Sequence, residues 1–171
     1  MLGEVSCKFG TTEVKSSAEI EVDMDRDEHF MLEALSEAQK AMQAGEVPVG
    51  AVLVDGEEII ARGHNKPLST VDPTAHAEIV AIRKACRKKK NYRLSGCNLY
   101  VTLEPCAMCL GAAVQSRLQR IIYGALDPKG GAVESVMVFP FSKMNHKIQI
   151  KGGVLAAECG KILKSFFEKR R

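Results

Sequence analysis

The chain has 171 residues, a net charge of +3, six cysteines and charged side chains at 26% of its positions. That length suits one domain with a real core and excludes two of ordinary size, and no run reaches the roughly 20 apolar residues of a membrane-crossing helix. With no charged-then-apolar leader at the start, the cysteines read as reduced thiols of a cytoplasmic protein rather than as a disulfide framework.

Charge is unevenly spread. Residues 1–28 carry eight acids against three bases, a balance of −5 that leaves +8 for the remainder. A basic body favours an anionic partner such as RNA, and an acidic leader is unlike an organelle transit peptide. Residues 1–27 show no helical pattern and are expected to form a flexible acidic extension, with a short strand around Glu19–Val22, ahead of a domain over 28–171.

From Asp27 to Ala44, Phe30, Leu35, Ala38, Ala41 and Met42 recur at helical spacing, and Gly45 closes the run. Val47 to Val54 is nearly all apolar, as a strand covered on both faces is. Asp55-Gly56 gives a hairpin turn into a second strand, Ile59 to Asn65. Asp72-Pro73 reads as a helix cap followed by proline at the first helical position. The helix it opens carries His76 and Glu78 and runs to about Arg87, where Arg87-Lys88-Lys89-Lys90 reads as a solvated, dipole-favoured end. Leu99 to Leu103 is a third strand, leading into Pro105-Cys106-Ala107-Met108-Cys109 and a helix over 107–116 rich in small residues. Arg120 to Ala125 is a fourth strand, parallel to the third because a helix separates them. A turn or short helix follows near Glu134 to Val138, then a fifth strand over 147–150 and a last helix over 155–169. Alternating strands and helices imply an α/β domain with helices on both faces of a mixed five-stranded sheet. Cys86, Cys97 and Cys159 read as small core residues.

Chemistry concentrates at two of these points. Two cysteines three apart at a helix start turn both sulfurs to one side, and His76 completes a Cys2His set that leaves the fourth position of a tetrahedral zinc open, as in catalytic sites. Zinc brings the ionisation of water near neutrality, and Glu78 is the carboxylate available to shuttle the proton. His76 and Glu78 are two residues apart, so they serve one centre only beside the first turn of their helix. The pairing of His76-Ala77-Glu78 with Pro105-Cys106-Ala107-Met108-Cys109 is the signature of zinc base deaminases.

Asp72 to Glu78, together with Tyr100 to Cys106, closely resembles bacterial tRNA-specific adenosine deaminases, and the resemblance covers residues 28–171. It implies a three-layer α/β/α cytidine-deaminase-like fold, one Zn2+ per subunit on His76, Cys106 and Cys109, and Glu78 as the catalytic acid–base. It further implies deamination of adenosine to inosine at the wobble position of a tRNA anticodon stem-loop, by a homodimer. Asn65 is a turn former by residue type; the resemblance makes it a substrate contact. Met144-Asn145-His146 matches the family's Asn-His segment, so Asn145 and His146 become substrate-binding residues. Phe166 to Arg171 matches its aromatic, basic C-terminus, where Phe167 suits stacking on a base and Arg170 a phosphate. Two positions depart from the pattern. Glu134 stands where glycine is usual, and Val138 where an asparagine or aspartate touches the RNA. The alternatives are a deaminase of a free base or nucleoside (guanine, cytosine or cytidine) and a noncatalytic zinc protein that binds RNA.

Overall fold

A computed structural model describes residues 17–170, with side chains from Arg26 onward; most of the expected flexible extension therefore lies outside the described residues. Helix α1 spans Ser17–Gln43, so it begins ahead of Asp27 and replaces the short strand expected around Glu19–Val22. No glycine or proline interrupts residues 17–44. Once the later turns dock, the helix propagates backward at little cost because nucleation has already been met. The docked stripe is Phe30, Met31, Ala34, Ala38 and Ala41. Gly45, at φ +76°, ends the helix in a Schellman motif: its N–H donates to the Met42 carbonyl (3.1 Å) and that of Glu46 to Ala41 (2.9 Å).

Strand β1 is Gly50–Asp55, starting later than Val47 because Pro48 has no N–H to offer a central strand. After it come β2 (Glu58–His64), a single helical turn α2 (Pro67–Thr70), α3 (Ala77–Lys89) and β3 (Cys97–Leu103). The chain continues through α4 (Ala107–Gln115), β4 (Arg120–Ala125), a 3-10 turn at Phe141–Lys143, β5 (Gln149–Lys151) and α5 (Ala156–Glu168). The sheet order is β2-β1-β3-β4-β5. β1 runs antiparallel to β2 and β3, and β3, β4 and β5 run parallel. This is the expected mixed five-stranded sheet, with the 120–125 strand at its expected bounds.

Strand alternation sorts the core into two layers. Leu53, Leu99, Val101 and Ile121 face α3 and α4, and Val52, Val54, Tyr100 and Ile122 face α1. Cys97 and Cys159 are core residues as expected, while Cys86 is half-buried. The basic end of α3 is exposed in its last turn, as expected, and two of its lysines form surface pairs, Lys88 with Glu58 (2.7 Å) and Lys89 with Asp55 (2.5 Å). One strong tie has no sequence signal. Asp27 is 1% exposed and accepts from the Tyr100 hydroxyl (2.9 Å), Arg120 (3.0 Å) and Lys151 (2.7 Å), joining α1 to three strands of the sheet. Among the described residues no helix is long and apolar enough to cross a membrane.

Candidate metal centre and its cleft

The C-terminal end of β3 and the starts of α3 and α4 meet at one point. Two packing features bring them there. Gly63 on β2 lies under the first turns of α3, where a Cβ would come within 2.3 Å of the Ala77 carbonyl oxygen; only glycine lets the helix sit so close. Leu110 and Ala113, both fully buried, fix α4 on the same core.

The helix carrying His76 and Glu78 does not open at Asp72-Pro73. Asp72 instead accepts from the backbone and hydroxyl of Thr74 (2.8 and 2.6 Å), an Asx turn, and Val71 before it sits exposed in the left-handed region at φ +51°. α3 begins at Ala77, with His76 as its extended N-cap residue (φ −67°, ψ 154°). That resolves the two-residue spacing: His76 precedes the helix, so helical periodicity does not constrain it against Glu78. The N-cap hydrogen bond comes from elsewhere, since Asn65 Oδ1 accepts the Ala77 N–H at 2.9 Å and meets one of the orphan donors of the first turn.

His76 Nδ1 lies 3.7 Å from Cys106 Sγ and 3.7 Å from Cys109 Sγ, and the three ligand atoms all fall within 4.8 Å of one another. With Zn–S near 2.3 Å and Zn–N near 2.0 Å, a tetrahedral zinc spaces sulfur and nitrogen ligands about 3.5 Å apart, so the donor set and its dimensions fit this metal. The Cys106 thiol is held down to about 4, first by its hydrogen bond with Cys109 and then by His76. The same contact with Cys106, followed by burial, drives Cys109 upward. His76 is raised, chiefly by its bond to Cys106. Glu78, 4% exposed, is raised by burial despite the opposing pull of its own backbone N–H and of His76.

These groups open into a cleft of about 260 Å³, with Asn65, His76, Glu78, Cys106, Glu104 and Asp127 on its walls. The structure thus brings together the predicted Asn65, His76, Glu78, Cys106 and Cys109. Phe167 borders a neighbouring groove of about 410 Å³, 48% exposed, with the Lys129 ammonium 5.9 Å from its ring centroid. Its neighbour Phe166 is buried, so the two aromatic residues divide packing and exposure between them. Arg170 turns away: it stacks on Phe166 (4.2 Å) and donates to the Gly45 carbonyl (2.6 Å). Asn145 and His146 also stand outside the cleft, Asn145 accepting from Arg117 (3.1 Å) and His146 bonded to the Leu118 carbonyl (2.6 Å).

Asp127 and Glu104 belong to the cleft without having been singled out in the sequence. Asp127-Pro128 reads only as a turn. Glu104 sits inside the motif stretch, and its partners come from a loop far along the chain. Its carboxyl is held down to about 2: burial opposes this, and the Ser135 hydroxyl with the Glu134, Asp127 and Ser135 N–H groups overcomes it. The two departures also find their places. The Glu134 carboxylate is occupied by the Tyr123 hydroxyl, and Val138 is 75% exposed.

Residues 24–171 match the family model described as MafB19-like deaminase. The chain is 48% identical over 149 residues to the tRNA-specific adenosine deaminase of Bacillus subtilis, covering 86% of this chain and 92% of that protein. It is 51% identical over 147 residues to the one from Haemophilus influenzae, covering 85% of each. Among solved structures it resembles one from a study of A-to-I editing by tRNA:A34 deaminases at the wobble position, at a TM-score of 0.76 and 49% identity over 79% of this chain and 99% of that one. A guanine deaminase from Bacillus subtilis resembles it less, at a TM-score of 0.56 and 37% identity over 66% of this chain and 82% of that one.

Proposed function

The chain belongs to the tRNA-specific adenosine deaminases, and from that membership we propose that it converts adenosine to inosine at the wobble position of a tRNA anticodon, releasing ammonia. The observation that carries this reading is the convergence of a Cys2His donor set and a buried carboxylate on one open cleft, in a chain 48–51% identical to enzymes of that name.

We infer one zinc per subunit, held by His76, Cys106 and Cys109. When bound, it eases the ionisation of water near neutral pH. Glu78 takes a proton from the attacking water and returns it to the departing amine, and its raised affinity for protons suits both halves of that exchange. The C6–O bond forms as the C6–N bond breaks; one proton of the water ends on N1 of the ring and the other leaves in ammonia. Asn65, with Oδ1 committed to Ala77, keeps its amide N–H groups for the substrate. Phe167, exposed beside Lys129, suits stacking on a flanking base with a phosphate nearby. Asn145 accepts from Arg117 through Oδ1 and keeps its amide N–H groups for RNA in this reading, while His146 and Arg170 reach it only through ring and guanidinium nitrogens not engaged with the Leu118 and Gly45 carbonyls.

The test offers zinc-loaded protein an anticodon stem-loop with adenosine at the wobble position, beside free adenosine, guanine and cytidine, and follows product by mass. Inosine from the stem-loop alone is expected. Turnover of guanine or cytidine without the stem-loop would overturn the substrate and leave the metal chemistry standing.

We further propose a cytoplasmic homodimer. Support for the compartment is the five free cysteines among the described residues. Support for the dimer is the consecutive exposed row Val136, Met137 and Val138, apolar surface of the kind a second copy covers. Sedimentation at twice the chain mass is expected, and a single-chain mass at micromolar concentration would refute it.

A further inference from the structure

The metal cleft and the groove beside Phe167 share a wall. Val47, Leu103 and Asp127 line both cavities, and Asp127 opens the loop 127–135 that follows β4. This loop has no strand or helix to hold it. Its own bonds are few: Gly131 N–H to the Asp127 carbonyl (2.9 Å) and Lys129 N–H to the Asp127 carboxylate (3.0 Å). Ala132, fully buried, ties it to the Pro105 carbonyl (2.9 Å) and the Tyr123 hydroxyl donates to Glu134, but the largest set of bonds to it comes from Glu104, on the segment that carries β3 into the metal centre. Oε1 accepts the N–H groups of Val133 (2.9 Å), Glu134 (2.8 Å) and Ser135 (3.1 Å). Oε2 accepts the Asp127 N–H (3.0 Å) and the Ser135 hydroxyl. Five donors thus converge on one carboxylate that is 2% exposed, and they reach both ends of the loop.

The approach is close enough to exclude any side chain at Gly131, where a Cβ would stand 2.2 Å from Glu104 Oε2. A glutamine at position 104 keeps the shape but turns an N–H2 towards donors, leaving two or more of them without an acceptor. Buried donors without acceptors are costly, so the loop would move away.

We propose that Glu104 is a positioning residue for substrate: its carboxylate sets the wall between the metal cleft and the second groove, and so governs how tightly an RNA spanning both is held. The proposal rests on the RNA reading above. Glu78 and the ligands His76, Cys106 and Cys109 come from α3 and α4, outside the loop, so releasing the wall acts on binding before chemistry.

Glu104→Gln, Gly131→Ala and the double variant are compared with the wild type as zinc-loaded proteins, by steady-state kinetics on the stem-loop and by amide hydrogen exchange. Each single substitution is expected to raise KM about tenfold more than it lowers kcat, a difference of about 1.4 kcal/mol, with the double no worse than either because both break one contact. Exchange is expected to quicken over 127–139 and to stay unchanged over 97–103. Additive effects, a loss carried by kcat with zinc lost, or faster exchange with KM unmoved would each overturn the proposal. A wild type inactive on the stem-loop would instead strike the RNA reading, while the exchange data still decide whether Glu104 holds the loop.

Discussion

Glu78→Ala loses turnover of the stem-loop by about 10²–10⁴-fold in kcat, the range of general acid–base catalysis, and retains one zinc per chain. The candidate donor group of His76, Cys106 and Cys109 does not include Glu78, so metal content is the control that separates a lost proton shuttle from a lost site. Its side chain is buried against the cleft and its affinity for protons is raised by that burial. Removing a carboxylate from such a place does not open a buried ion pair, so the fold should tolerate it. Glu78→Gln sharpens the test, because it preserves volume and hydrogen-bonding capacity and removes only the proton transfer. A single-turnover rate with saturating RNA, read beside metal analysis, checks both variants. Retained turnover in either would remove Glu78 from the proton transfer, whereas a zinc-loaded wild type that binds the stem-loop without turning it over would place the chain among noncatalytic zinc proteins that bind RNA.

Periodicity carried the layers, since alternating strands and a helical stripe report which face is buried, and the fourth strand and the parallel crossover could be read directly. Motif spacing carried His76, Glu78, Cys106 and Cys109. Local signals failed where distant residues decide. Asp72-Pro73 has the residues of a helix start, yet α3 begins at Ala77 because Asn65, twelve positions earlier, supplies the hydrogen bond that caps it. Pro48 delays β1 because that strand is central, with partners on both sides, a fact of topology. Asp27 stands at the start of the helical run, and its three partners come from β3, β4 and β5, which no local pattern reports. Glu104 lay in plain view inside the motif stretch, but its partners are four backbone N–H groups and one hydroxyl 23 to 31 positions downstream. Of the residues transferred by resemblance, those near the metal motif converge on the cleft. Those near the C-terminus mix roles, because exposure alternates along a helix and the resemblance alone does not say which side chain faces out.

Cys106→Ala is expected to lower bound zinc from one per chain to below a tenth and to lower Tm by about 5–10 °C. With His76 and Cys109 left, the site has two protein ligands where a catalytic zinc needs three, and affinity falls with each. Metal that binds only the folded chain stabilises it in proportion to its saturation, about 2.7 kcal/mol at a hundredfold excess over Kd; each kcal/mol is worth about 2–4 °C in a domain of this size. The loss stays local. Cys106 is the N-cap residue of α4, and the bond that begins the helix, Leu110 N–H to the Cys106 carbonyl (3.0 Å), comes from the backbone and survives the substitution. The sheet core packs on Leu110, Ala113 and Val114 without using either sulfur, so far-ultraviolet circular dichroism should hardly change. Cys159→Ala makes the contrast. That thiol is fully buried and its pKa is pushed up to about 12 by burial, as befits a packing group, so its loss lowers Tm and leaves zinc at one per chain. Both variants retaining zinc would remove Cys106 from the ligand set, and both losing it would mean that metal content reports folding rather than ligation.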